Sequence, residues 1–150
     1  MVSDILHRIL ALVARREVVI SDHGYEELTA DGILVRDIYE SAEDAIVVEE
    51  YPTYHKGPCV LVLQRDHQGQ PIHVPREKVM STRRRTKYVL EGLYAAAVDV
   101  HWIEYEMGWS PYLSLEDAQK LDEVREALRR GDLKTASQLG RVYQLTPIAV

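Results

Sequence analysis

The chain has 150 residues and a mass of 17.2 kDa, enough for one domain or for two very small ones that share a core. Apolar residues make up 46% of it and charged residues 28%, a globular composition that excludes compositional disorder. The formal charge of −6 lies wholly in the first part, where eight Lys and Arg face fourteen Asp and Glu over residues 1–79 against ten of each over 80–150, so general binding of nucleic acid through the first part is disfavoured.

Ser3 ahead of Ile5, Leu6, Ile9, Leu10 and Val13, apolar at three- and four-residue spacing, predicts an N-capped amphipathic helix to about Arg16. Glu17 to Ile20 reads as a short β-branched strand. Ser21, Asp22 and His23 then offer capping side chains to a second short helix that stops at Asp31-Gly32. Residues 35–42 predict another, with Ile38 and Tyr39 inward and Glu40, Glu43 and Asp44 solvated. The period changes at Ala45. Residues 45–51, 59–66 and 71–74 are β-rich runs separated by turn-forming stretches, which predicts an antiparallel meander. Pro75 to Val79 breaks the pattern, and Met80 opens a basic, polar run to Lys87 that resembles the start of a separate protein. Residues 86–90 and 93–104 predict a hairpin around Glu91-Gly92, with Val98, Val100 and Trp102 on one face and Asp99 and His101 on the other. Ser114 with Asp117 three residues on is a near capping box for a helix bearing Ala118, Leu121, Val124 and Leu128, ending at Gly131. Asp132 caps a shorter helix to Leu139, and 141–146 alternates as a last strand. The fold class is therefore α+β: short helices packed on an antiparallel sheet, followed by a ββααβ segment completing or covering that sheet. That segment, at about 70 residues, is marginal on its own.

The run Ser21-Asp22-His23, then Leu28, Gly32-Ile33 and Asp37-Ile38, followed by the strands carrying Cys59 to Arg65 and Ile72-His73-Val74, resembles a family of small bacterial toxin-like proteins related to RelE and BrnT. The resemblance spans residues 17–74 and implies a strand that delivers a histidine to a helix start, followed by a curved sheet. Two departures stand out. Glu27 and Asp31 occupy positions where the family commonly has arginine, and the family's further strand after Ile-His-Val is missing. Residues 80–150, with the run Gly108 to Ala118, resemble the antitoxins encoded beside such toxins. The expected domains are thus a toxin-like α+β domain over 1–79 and an antitoxin-like ββααβ segment over 80–150, joined near Val79-Met80 by nature or by design. A toxin sheet ending at Val74 leaves an unpaired edge, and either 93–104 or 141–146 is expected to pair with it, from the same or a neighbouring chain. A homodimer by strand exchange is the corollary.

Toxins of the RelE type cleave RNA by aligning a 2′-hydroxyl for in-line attack on the adjacent phosphate, which needs a base, an acid and cations around the developing charge. The resemblance therefore implies His23 as base or acid, Arg65 and Lys56 as phosphate clamps, and His73, His55 or His67 as second proton carrier. Each has a plainer reading. His23 caps or packs a helix start, His73 faces outward from a strand, His55 and Lys56 are exposed loop residues, His67 belongs to a turn, and Arg65 pairs across strands with Glu49 or Glu50. Trp102, Trp109 and Tyr112 are expected at the interface with the partner half or in a core. Arg83, Arg84 and Arg85 form the basic cluster: a solvated linker, a contact to operator DNA, or a dock into the acidic first part. The charge asymmetry favours docking, with Arg84 at the interface.

No His-Glu-x-x-His pair, Gly-rich phosphate loop or Gly-x-Ser-x-Gly turn occurs in the sequence, so neither a metal nor another cofactor is expected. Cys59 is the single cysteine and cannot close an internal disulfide, which fits a reducing compartment. With no apolar run of membrane-spanning length and no signal-like start, a cytoplasmic protein without membrane contact is expected. The expected function is a toxin-antitoxin module in one chain: a RelE/BrnT-like, metal-independent endoribonuclease domain masked by a fused antitoxin-like segment, with RNA as partner once unmasked. The alternative is a non-catalytic interaction or oligomerisation module, in which Glu27 and Asp31 replace the cations.

Overall fold

A computed structural model describes residues 4–54, 59–65, 71–72, 81–104 and 110–149. Helix α1 (Asp4–Ala14) turns Leu6, Ile5, Ile9 and Leu10 inward, as their spacing requires. Strand β1 (Val19–Ser21) runs directly into α2 (Asp22–Ala30). Ser21 Oγ caps that helix by accepting from the Gly24 amide at 2.9 Å, and a Cβ on Gly24 would lie 2.8 Å from the same oxygen. Glycine is what lets the cap close. Helix α3 (Val35–Glu40) continues as a 3-10 turn over Ser41–Asp44. It buries Val35 and Asp37, whereas Ile38 and Tyr39, expected inward, are half-buried.

Strands β2 (Ile46–Tyr51), β3 (Cys59–Arg65) and β4 (Pro71–Ile72) make the antiparallel meander read from the sequence. Alternation along β3 buries Val60, Val62 and Gln64 on one face, and Val60 and Val62 pack on Leu6 of α1. Strands β5 (Ser81–Glu91) and β6 (Tyr94–Glu104) form a long hairpin paired from Ser81↔Glu104 to Glu91↔Tyr94. Gly92 has a φ of 58°, the positive value its tight hairpin turn requires. The chain closes with β7 (Tyr112–Ser114), α4 (Leu115–Arg129), α5 (Leu133–Leu139) and β8 (Arg141–Gln144). The sequence break at 75–79 and the stretch 105–109 lie outside the described residues.

Strand β6 is the centre of a five-stranded sheet. It pairs with β5 along one edge; on the other, β8 takes residues 94–97 and β7 takes Trp102 and Ile103. Between β8 and β7 the edge is satisfied by α4 side chains. Asp117 Oδ2 accepts from the His101 amide at 2.7 Å, and Lys120 Nζ donates to the Asp99 carbonyl at 2.6 Å.

Strand addition between the two parts runs opposite to expectation. Among the described residues neither β6 nor β8 pairs with the meander; instead β1 of the first part joins the second part's sheet through β7. The physical reason is that β5, β7, β8 and α4 already saturate both edges of β6, so a strand from the first part can join only at an outer edge of the sheet, and β1 takes that of β7. Burial follows the same plan. Tyr25 and Val35 share one core with Val89, Val98, Val100, Leu113, Leu121 and Val124, while Leu6, Val60 and Val62 form a small satellite.

Candidate functional site at the contact between the two parts

Helix α2 begins where β1 meets β7, in the register Val19↔Ser114, Ile20↔Leu113 and Ser21↔Tyr112. The contact continues past the strand. The Asp22 amide donates to the Pro111 carbonyl at 2.7 Å, and the His23 amide lies 3.4 Å from Ser110 Oγ. Lys87 of β5 closes the same corner, with Nζ 2.7 Å from Asp22 Oδ1, 2.5 Å from Glu26 Oε1 and 5.9 Å from the centre of the Tyr25 ring. Its side chain is only 15% exposed. Burial pulls the Lys87 pKa down, but the bonds to Asp22 and Glu26 outweigh it and hold the group above the ordinary lysine value.

A second link lies deeper. Asp122 of α4, 8% exposed, accepts from the Tyr25 hydroxyl at 2.9 Å and from the Val35 amide at 2.8 Å. Val35 is the first residue of α3, so its N–H has no partner within that helix, and a carboxylate from the second part supplies one. Burial pushes the Asp122 carboxyl above its usual range against the pull of the two donors. Tyr25 is fully buried, and burial followed by the negative charge of Asp122 pushes its hydroxyl upward too. Arg36 and Glu126 add a solvent-exposed ion pair at 3.3 Å.

Of the catalytic candidates, His23 and Arg65 lie among the described residues; Lys56 and His73, with His55 and His67, lie outside them. His23 sits in the first turn of α2 with its side chain exposed. Arg65 is exposed at the end of β3, in the other sheet, past the Ile46↔Leu63 end of the β2 register and well away from Glu49 and Glu50. The two candidates therefore occupy different elements, helix α2 and strand β3. Glu27 and Asp31 are exposed on α2 and at its C-terminal end.

The interface candidates divide. Tyr112 pairs with Ser21 at the contact, and Trp102 is half-buried against the shared core, with the Arg85 guanidinium 5.5 Å from its ring centre. Trp109 lies outside the described residues. Arg84 is not at the contact: it is 73% exposed and pairs with Asp99 Oδ2 at 2.5 Å. The Arg84 and Thr86 bonds hold the Asp99 carboxyl below its usual range. Arg83 pairs with Glu104 at 3.7 Å. The Arg83-Arg84-Arg85 cluster is thus neither a linker nor a dock into the acidic first part. It is the start of β5, and its arginines find their partners within the second part because Asp99 and Glu104 stand across the hairpin.

Sequence reasoning missed Lys87, Tyr25 and Asp122. A signal existed for the last: Asp122 follows Leu115 and Ala118 at helical spacing, so it interrupts the apolar stripe of α4 with a carboxylate. Among the described residues no group of three His, Cys, Asp or Glu is placed to hold a metal ion, and no helix is long and apolar enough to cross a membrane.

The fold is α+β. Residues 20–81 match a family model described as a domain of unknown function, DUF4258. The matched stretch opens in β1, takes in α2, α3 and the meander, and ends at the first residue of β5, less than half of the chain. No curated protein and no solved structure matches it significantly.

Proposed function

We propose that the chain is a toxin-antitoxin module in one polypeptide, in which a RelE/BrnT-like, RNA-cleaving type of domain over 1–79 is held silent by an antitoxin-like segment over 80–150. The observation that carries this reading is the corner around the start of α2: the element bearing His23 is gripped by Ser110, Pro111 and Lys87. A segment that contributes a strand partner, a buried carboxylate and a cation to one helix and its neighbour has the character of a bound inhibitor. His23 is the proton carrier in this reading, with Arg65 at the end of β3 and with Lys56 and His73 in the roles that the resemblance implies.

The full-length chain is expected to be harmless when induced in bacteria. Lys87→Glu places a third acid beside Asp22 and Glu26 and loosens the corner. That variant, provided circular dichroism shows it folded, is expected to arrest growth and cleave RNA, and adding His23→Ala is expected to abolish both effects. A folded Lys87→Glu protein that neither slows growth nor cuts RNA sinks the enzymatic reading.

The placement of His23 at the start of helix α2 and of Arg65 at the end of β3 favours a second reading, a non-catalytic interaction or oligomerisation module. Its homodimer would use surface still open: the outer edge of β5 is unpaired among the described residues, and Tyr88, Leu90 and Tyr143 are exposed on that sheet. Sedimentation of the wild type against Leu90→Lys tests it, with loss of a dimer expected.

A further inference from the structure

The satellite core is not filled. A cavity of about 620 Å³ lies between α1, α3 and β3, walled by Leu6, Ile9 and Val13 of α1, Ile38 of α3, and Val60 and Val62 of β3. At about 30 Å³ for each non-hydrogen atom, that space holds roughly 20 of them, room for one acyl chain and too little for the paired chains of a membrane lipid. It is far more than an imperfectly packed core leaves empty.

Charge and exposure divide the wall into an inside and a mouth. Every described wall residue is buried or half-buried except Arg8, which is exposed and is also the one charged residue among them. A side chain that both lines a cavity and meets solvent stands where the cavity opens. Fourteen Asp and Glu fall within residues 1–79, yet none is among the described wall residues. Nor does Arg8 have an acidic partner among the described residues. A second cation lies close by: the Arg16 guanidinium is 5.7 Å from the centre of the ring of Tyr39, another wall residue. An unpaired guanidinium at the mouth of an oily space selects a ligand built to the reverse plan. An anionic head pairs with the arginine and an alkyl tail leaves water for the interior, whereas a cationic head on the same tail is repelled.

We infer that this cavity binds a single-chain fatty carboxylate, with its tail between α1, α3 and β3 and its head on Arg8. The site lies outside the α2 corner and does not depend on any nuclease activity there.

The test compares dodecanoate, dodecan-1-ol and dodecyltrimethylammonium, which carry one tail behind a negative, a neutral and a positive head. Calorimetric titration of the full chain at low salt, below micelle-forming concentrations, is expected to show saturable one-to-one binding of the carboxylate. The alcohol should bind about fivefold more weakly, the upper worth of one solvent-exposed charge pair, and the cation more weakly still. The net charge of −6 by itself favours the cation, so this order reports the local site and not the overall field. Arg8→Glu, a change on the exposed side of α1, is expected to invert the order and place the cation above the carboxylate. Ile9→Trp, which fills the space from α1, is expected to bind none of the three. Amide resonances that shift on titration should belong to α1, α3 and β3. Absence of saturable binding, a cation bound as tightly as the carboxylate by the wild type, an order left unchanged in folded Arg8→Glu, or shifts centred on Tyr88, Leu90 and Tyr143 would each overturn the assignment. The comparison on the wild type stands even if a variant does not fold.

Discussion

Asp122 is where one side chain decides how the two parts of the molecule hold together. Asp122→Ala leaves the Val35 N–H and the Tyr25 hydroxyl buried without their acceptor and should cost about 2–4 kcal/mol, read from urea unfolding. Asp122→Asn keeps the shape: its oxygen accepts from Val35, its amide donates to the tyrosine oxygen, and most of the stability should remain. The two proteins then differ in pH dependence. Because burial raises the folded-state pKa of Asp122 above its unfolded value, the native state holds the proton more tightly. Wild-type stability from this group therefore falls as pH rises through that window, and the asparagine variant lacks the slope. Unfolding free energies at acid and neutral pH should show the variant gaining on the wild type as pH increases. Lys87 has the opposite placement. Its pKa is raised by Asp22 and Glu26 despite burial, so its contribution is complete below the ordinary lysine range and is lost as pH climbs through the raised value. Lys87→Met should cost about 1–2 kcal/mol at neutral pH, since Glu26 is half open to solvent and screened. The difference from wild type in thermal melts should close in strong alkali.

At the scale of elements, close approach matters as much as hydrogen bonding. Gly140 lets β8 lie against β6: a Cβ there would sit 2.8 Å from the Ala97 carbonyl oxygen and 3.1 Å from Val98 Cγ2. Its backbone is extended, so the obstacle to alanine is contact rather than conformation. Gly140→Ala should push β8 off the central strand and cost about 1–3 kcal/mol, with hydrogen exchange quickening first at Tyr94 to Ala97 and Arg141 to Gln144. The hairpin, α4 and the meander were legible in the sequence because each shows its period over enough residues. Strand β7 was not: three residues carry no period, and Leu113 between Tyr112 and Ser114 merely looks like the approach to a helix cap. Missing it hid the real junction, because β7 is the strand that receives β1. The partners of β6 were illegible for a related reason. Alternation says which face of a strand is buried and nothing about which edge is free. The candidate site was legible only in part: Ser21 to His23 declared a helix start, while the residues that grip it come from 65 to 97 positions further along the chain.

For the whole molecule the consequence is that the two parts, which meet near Val79-Met80 in the sequence, share one sheet and one core. A sheet that takes β1 from one part, a core that mixes Tyr25 and Val35 with α4, and the Lys87 and Asp122 links all join the two. Modules on a flexible tether would come apart once the tether is cut; parts of one core would not. A specific protease site placed between residues 79 and 80 makes the distinction. After cleavage the two fragments should co-elute on size exclusion and unfold in a single transition, with a midpoint that now rises with protein concentration because unfolding has become dissociation. Adding Asp122→Ala should lower that midpoint and release the fragments at low concentration. Fragments of the cleaved wild type that separate without denaturant would mean that the contact at α2 is too weak to hold one part against the other, and the masking role would lose its physical basis.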